Sequence, residues 1–107
     1  MNSSQRVEQL LLFLQDDPTD SFLQYALALE YQKLGKVSKA IKTIEYLLMN
    51  NSAYLGAYYQ LGKLYEAEND LQKAVSIYKT GKTLAQKQDN RKTLNELNEA
   101  LQNLEEN

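Results

Sequence analysis

Cysteine and histidine are both absent from this 107-residue chain. Without cysteine the chain has no disulfide and no thiolate metal site, and without histidine it lacks the commonest general base and metal ligand. The acidic group of Asp16, Asp17 and Asp20 precedes a predicted helix, where carboxylates cap the helix and favour the positive end of its dipole. No nucleophile has a visible base. We therefore expect no enzyme activity, no catalytic residue, no cofactor and no metal site.

An excess of one charge and a long apolar run are also missing. Twelve basic residues against 14 acidic ones give a net charge of −2, which provides no overall field for nucleic acid or an anionic membrane. The run LLLFL at residues 10–14 is too short for a signal-peptide core or a membrane span. We expect a cytoplasmic protein with no nucleic-acid partner and no membrane partner.

Proline and glycine are scarce, with one and four residues respectively, whereas Leu, Ala, Gln, Lys and Glu are abundant. This composition favours helices, and no alternating pattern of strand length competes with them, so the chain is predicted to be one all-α domain. Turn signals divide it into six predicted helices, near 3–15, 20–34, 37–50, 53–68, 71–87 and 90–105. The residues expected to cap helix starts are Ser3 or Ser4, Thr19, Ser52, Asp70 and Asp89. Gly35 and Asn69 are expected to end helices in the left-handed conformation.

The chain contains an internal repeat of 34 residues. Sliding the sequence by that length places Tyr25, Leu27, Tyr31, Lys39 and Ala40 on the identical residues Tyr59, Leu61, Tyr65, Lys73 and Ala74. A helix–turn–helix unit of this length resembles the tetratricopeptide repeat. The second unit matches the pattern of that family at Tyr58, Leu61, Gly62, Tyr65, Ala74 and Tyr78, with Tyr in place of Trp and Phe at its ends. The first unit departs from the pattern at Gln24, which occupies the aromatic position.

The resemblance implies how one domain over residues 1–107 is divided. Residues 3–17 look like the second helix of a repeat whose first helix is missing, residues 20–52 and 53–88 form two repeats, and residues 90–105 form a capping helix. It also implies that the two helices of a repeat cross closely. Gly62 or Ala28 would then face Ala74 or Ala40, which offsets the roughly 1 kcal/mol that glycine costs inside a helix.

The family resemblance further implies a function. Stacked antiparallel helix pairs form an α–α superhelix, and the first helix of each pair lines a concave groove that binds a peptide or protein segment. The partner-binding positions it implies are Phe22, Tyr25, Leu29, Gln32, Lys33, Tyr59, Gln60, Lys63 and Glu66. The Lys, Asn and Arg clamp that some members use for a terminal carboxylate is absent. The clamp positions here are Tyr25, Leu29, Gln60 and Lys63, which offer one cation and no Asn. We expect a non-enzymatic scaffold with a protein or peptide partner of unknown identity.

The tyrosines fall into two groups. Tyr31, Tyr58, Tyr65 and Tyr78 lie at the family's core positions and are predicted to pack inside the fold. Tyr25 and Tyr59 lie outside that pattern, so contact with a partner and simple filling of the groove both stay open for them.

The first predicted helix suggests an alternative function. It carries Leu11 and Leu12 in addition to the apolar stripe of Val7, Leu10 and Leu14, which is too wide for one contact. We expect Leu12 and Phe13 to fold over the edge of helix 20–34. The alternative is an isologous contact in a homodimer, which would make this a self-assembling structural protein.

Overall fold

A computed structural model describes residues 1–105 of the chain, which form six α-helices and, within that range, no strand. The helices are α1 (Ser3–Asp16), α2 (Ser21–Lys33), α3 (Val37–Asn50), α4 (Gly56–Ala67), α5 (Leu71–Lys87) and α6 (Arg91–Glu105). The predicted all-α class is confirmed. Over this described length no helix combines the length and the apolar character needed to cross a membrane.

Short polar side chains start several of the helices. Asn2 caps α1 in a capping box with Gln5, Asp20 accepts from the Leu23 N–H at 2.9 Å, and Asp70 accepts from the Lys73 N–H at 3.2 Å. The prediction for Asp70 is therefore confirmed. The predictions for the first two helices are wrong, because the cap residue is Asn2 instead of Ser3 or Ser4, and Asp20 instead of Thr19.

The starts of α4 and α6 also differ from the prediction. Leu55 occupies the cap position of α4 and makes no side-chain cap hydrogen bond, so Ser52 does not cap this helix. Asn90, rather than Asp89, accepts from the Thr93 N–H at 3.1 Å. Asp89 is instead a left-handed residue, with φ of 54°.

Three helices end in the same backbone motif. Gly35 and Asn69 have φ of 73° and 59°, as the sequence predicted, and Asp89 follows the same pattern. In each case the next N–H bonds to a carbonyl five residues back, as in Lys36 to Tyr31 and Asp70 to Tyr65, both at 2.9 Å. Left-handed residues allow this bond, which satisfies carbonyls that the helix end leaves free.

The first of two structural units, unit 1, comprises Met1–Ser52 and contains α1, α2 and α3. Helix α2 packs against both α1 and α3, and the buried apolar side chains of this unit are Leu14, Leu27, Ala28, Ala40, Ile44 and Leu47. The Asn51 amide donates to the Ser21 hydroxyl at 3.0 Å, which joins the end of α3 to the start of α2.

The second unit, unit 2, begins at Ala53 and contains α4, α5 and α6. Helix α5 packs against both α4 and α6. One apolar cluster holds the unit together, and its buried members are Leu55, Ala74, Tyr78, Ala85, Leu97, Ala100 and Leu101. Burial of such side chains contributes about 1.5–3 kcal/mol each for the large ones, so this cluster is the main source of the unit's stability.

Two apolar side chains of α1 are more exposed to solvent than expected. Leu12 is 61% exposed and Phe13 is 50% exposed, while Leu14 is buried. The expectation that Leu12 and Phe13 fold over the edge of α2 is therefore wrong. Helix α1 meets α2 through the side that carries Leu14, which turns these two neighbours of Leu14 towards solvent.

Candidate functional site

Helices α4 and α5 approach each other closely at Gly62. A Cβ atom on Gly62 would lie 2.6 Å from Cδ1 of Tyr78 and nearer still to Cε1 of the same ring. The atoms nearest to this position thus belong to an aromatic ring, and the expected contact between Gly62 and Ala74 stays a prediction. Gly81 on α5 makes a similar contact, since a Cβ atom there would lie 2.7 Å from Cβ of Tyr58. Two glycines, one from each helix, therefore accommodate two tyrosines.

The Tyr78 side chain connects this packing to the surface. Its ring is fully buried, and its hydroxyl donates a short hydrogen bond to Oε2 of Glu66 on α4. Burial raises the pKa of Tyr78 most strongly, and the hydrogen bond and negative charge of Glu66 raise it further. The hydroxyl therefore stays protonated and holds the Glu66 carboxylate in place.

Lys63 and Tyr59 complete the arrangement. The Lys63 ammonium lies 5.4 Å from the centroid of the Tyr59 ring and 3.9 Å from Oε2 of Glu66. The rings of Tyr59 and Tyr78 have centroids 6.2 Å apart at a tilted angle, a spacing at which aromatic pairs attract. We name these four residues, Tyr59, Lys63, Glu66 and Tyr78, the Tyr59 cluster.

The Tyr59 cluster presents three different chemical groups along α4. The Lys63 and Glu66 side chains are 40% and 28% exposed, and Tyr59 is partly buried. An aromatic face, a cation and a carboxylate are therefore held within one stripe of α4, at i, i+4 and i+7. Tyr59 packs against the Tyr78 ring and Glu66 accepts from the Tyr78 hydroxyl, so these two side chains would lose little freedom on binding. Gln60, which directly follows Tyr59 on the same helix, is also partly buried.

The corresponding positions of α2 have a different character. Phe22 is 70% exposed, Gln32 and Lys33 are exposed, and Tyr25 and Leu29 are partly buried. At an offset of 34 residues, Leu29 and Gln32 stand where unit 2 has Lys63 and Glu66. The lysine–carboxylate pair of the Tyr59 cluster is therefore not repeated in unit 1, whose predicted site positions are mainly apolar and amide side chains.

Lys33 instead belongs to a charge group between α1 and α2. Oε1 of Glu30 accepts from Nε of Arg6 at 3.0 Å and from Nζ of Lys33 at 3.4 Å. Ser3 lowers the pKa of Glu30 most, and Arg6 and Lys33 lower it further, against the opposing effect of burial. Oε2 of Glu30 is buried and has no hydrogen-bond donor within residues 1–105. This group ties α1 to α2.

The sequence did not identify Tyr78 as a site residue, although it predicted the burial of this side chain correctly. The feature of the sequence that could have identified Tyr78 is its hydroxyl group. The family pattern has Phe at this position, so a tyrosine there adds a polar group that needs a partner when buried. Glu66, twelve residues earlier on the facing helix, is that partner.

Comparison with known proteins gives consistent results. A family model described as tetratricopeptide repeat matches residues 55–88. A tetratricopeptide repeat domain protein from Salinibacter ruber, solved by crystallography, is 37% identical over 80% of this chain and 96% of its own, with a TM-score of 0.76. A solution structure of such a protein from the same organism is 38% identical over 83% of this chain and 90% of its own, with a TM-score of 0.79.

More distant structures share the fold. The Yersinia enterocolitica type III secretion translocator chaperone SycD has a TM-score of 0.89 at 14% identity, over 96% of this chain and 72% of its own. PcrH, solved in complex with the chaperone binding region of PopD, has a TM-score of 0.86 at 16% identity, over 92% of this chain and 74% of its own. No curated protein matches.

Proposed function

Because the chain belongs to the tetratricopeptide repeat family, we propose that it is a non-enzymatic interaction module that binds a peptide or protein segment along the first helices of its repeats. The first helices are α2 and α4. In this proposal Tyr59, Gln60, Lys63 and Glu66 contact the partner from α4, and Phe22, Tyr25, Leu29, Gln32 and Lys33 contact it from α2.

One observation carries the proposal, which is the placement of Lys63 over Tyr59 and beside Glu66. The Tyr59 ring packs on the edge of the apolar cluster of unit 2, while the Lys63 and Glu66 side chains remain partly exposed beside it. A rigid, half-polar tyrosine beside a lysine is typical of binding surfaces. PcrH was solved in complex with the chaperone binding region of PopD, and SycD is a translocator chaperone, which offers a precedent for binding of a partner by this fold.

The chemistry of the cluster favours a segment with an acidic residue next to an apolar one. Lys63 keeps free capacity because its ammonium has three donors and lies at the outer limit of an ion pair with Glu66. A partner carboxylate on Lys63 would contribute up to about 1 kcal/mol at this exposure. An apolar side chain packed on Tyr59 would contribute the larger share.

Affinity capture tests the proposal. Lysate of the source organism is passed over the wild type, the Tyr59→Ala, Lys63→Glu variant, and a matched control, Tyr46→Ala, Lys79→Glu, whose positions are exposed on α3 and α5. We expect a protein captured by the wild type and the control to be lost from the site variant. Identical lists from all three folded proteins would contradict the proposal. Circular dichroism checks that each variant is folded.

Self-association through α1 is a second candidate, favoured by the 61% exposure of Leu12. An isologous contact would bury this side chain together with its copy on a second molecule. Light scattering measures the mass of the wild type and of Leu12→Glu in solution. A doubled mass that Leu12→Glu abolishes is the expected result, and a monomeric wild type at high concentration would eliminate this candidate.

A further inference from the structure

Three helices of the chain carry an equivalent stripe of side chains. At successive offsets of 34 residues the stripe positions are Arg6, Leu10 and Phe13 on α1, Ala40, Ile44 and Leu47 on α3, and Ala74, Tyr78 and Gly81 on α5. Positions separated by four and then three residues lie on one face of a helix. The internal repeat therefore allows the same face to be compared in three places.

On α3 and α5 this face is covered completely. Ala40, Ile44 and Leu47 are 0%, 0% and 1% exposed, and Ala74 and Tyr78 are both 0% exposed. In unit 2 the covering element is α4, since Gly62 meets Tyr78 and Tyr58 meets Gly81. In unit 1, α2 packs on α3. A first helix accordingly covers the stripe in both repeats.

On α1 the same face is only partly covered. Phe13 is 50% exposed, the Arg6 side chain is 42% exposed, and Leu10 is partly buried. Helix α2 packs on α1, yet it leaves Phe13 half uncovered. Phe13 stands at the position of Leu47, which is 1% exposed. The stripe of α1 thus keeps two apolar side chains, Leu10 and Phe13, at positions that are covered on α3, carries Arg6 where α3 and α5 have alanine, and is not fully covered by any part of residues 1–105.

The charges next to Phe13 are acidic. Asp16 and Asp17 follow Phe13 by three and four residues, are exposed, and form no ion pair with any residue that the structure describes. The one cation on α1 is Arg6, which bonds to Glu30. A covering element of complementary charge would therefore carry Lys or Arg. The same carboxylates would repel an anionic membrane surface, which argues for a protein segment.

We propose that the face formed by Arg6, Leu10 and Phe13 binds a cationic amphipathic helix of another protein, which takes on α1 the place that α2 takes on α3. Such a helix would present apolar residues at i, i+3, i+4 and i+7, the spacing of Tyr58, Leu61, Gly62 and Tyr65 on α4. This interaction goes beyond the Tyr59 cluster, because it uses a different surface in a different unit.

The test uses two synthetic helical peptides that share this apolar stripe and differ only in carrying Lys or Glu on the remaining face. Fluorescence anisotropy measures the binding of each labelled peptide to the full chain. We expect the Lys peptide to bind, the Glu peptide to bind at least about tenfold more weakly, and added salt to reduce the difference. Phe13→Ser should weaken binding of the Lys peptide by about tenfold or more.

Leu12→Ser is the matched control, because Leu12 is an exposed apolar neighbour on the opposite side of α1 from Leu10 and Leu14. It should leave binding of the Lys peptide unchanged, and the Tyr59→Ala, Lys63→Glu variant should do the same, which separates this proposal from the previous one. Three results would overturn it: no binding of the Lys peptide, equal binding of both peptides, or equal losses in Phe13→Ser and Leu12→Ser. A dimer that Phe13→Ser dissociates would also overturn it, since a second copy would then cover the face.

Discussion

The side chain of Gly62 is a single hydrogen atom, which allows α4 and α5 to approach each other closely. Replacing it with alanine favours the helix locally by about 1 kcal/mol, but the new methyl group would collide with the buried Tyr78 ring. Overpacking of a core costs about 1–3 kcal/mol, and this ring has no free space to enter. We expect Gly62→Ala to lower the free energy of unfolding by about 2 kcal/mol, measured by urea unfolding followed by circular dichroism.

The first repeat suggests a compensating substitution. At the positions of Gly62 and Tyr78 it has Ala28 and Ile44, both buried. We therefore expect the double variant Gly62→Ala, Tyr78→Ile to cost less than the sum of the two single variants, because the smaller side chain makes room for the methyl group. Additive costs in a double-mutant cycle would show that the Gly62–Tyr78 contact is not the reason for the glycine.

The Tyr78 hydroxyl gives the protein a sensitivity to alkaline pH. Its pKa is raised by burial first and by Glu66 second, so above about pH 10, where a tyrosine in the unfolded chain ionises, the folded state retains a proton that the unfolded state has lost. Stability must then fall as pH rises. We expect Tyr78→Phe to cost about 1 kcal/mol near neutral pH, and this difference from the wild type to shrink above about pH 10. Urea midpoints across the pH range measure it.

At the scale of the helices, the Arg6–Glu30 pair attaches α1 to α2. Removing the guanidinium leaves a carboxylate in a largely buried position, so Arg6→Met should loosen α1 by about 1 kcal/mol, seen as faster hydrogen exchange of its amides. The double variant Arg6→Met, Glu30→Leu should restore protection, because an apolar pair replaces the charges and Leu64 is the buried equivalent of Glu30 in unit 2. Equal exchange in the single and double variants would contradict this role.

Acid should release the same contact. The pKa of Glu30 is lowered by Ser3, Arg6 and Lys33, so its contribution is present above the ordinary glutamate pKa of about 4.3 and is lost as pH falls through the lowered value. We expect α1 to lose protection in the wild type on acidification. The Arg6→Met, Glu30→Leu variant should lack this component, and an identical acid response in both proteins would assign it to other carboxylates.

The sequence predicted the existence of the helices more accurately than the residues at which they begin. Helical composition and the 34-residue period indicate six helices, and Asp70, Gly35 and Asn69 are identified correctly because their side chains or φ values act locally. Ser52 fails since α4 begins only at Gly56, after a turn, with Leu55 at its cap position. At the candidate site, the stripe of Tyr59, Lys63 and Glu66 could be predicted from helical spacing. Its link to Tyr78 could not, because it depends on how two helices face each other.

At the scale of the whole chain, the two units differ in how much apolar surface they leave uncovered. In unit 2, α6 supplies Leu97, Ala100 and Leu101 to the apolar cluster, whereas unit 1 leaves Phe13 and Phe22 at least half exposed. We expect a fragment that begins at Ala53 to unfold cooperatively in urea despite its small size. Leu97→Ala, which creates a cavity at a fully buried position, should cost this fragment about 2–5 kcal/mol. A gradual transition without a midpoint would show that unit 2 depends on unit 1.

The left-handed turns at Gly35, Asn69 and Asp89 have a consequence for chirality. Their φ values of 73°, 59° and 54° lie in a region that is natural for the mirror-image amino acids, and an L-residue there is strained by about 1–2 kcal/mol. A chemically synthesised chain with D-alanine at position 69 or 89 should therefore fold at least as stably as the natural one. The same D-residue at position 62 would break α4. The left-handed backbone conformation at these three positions thus ends the helix that precedes each of them.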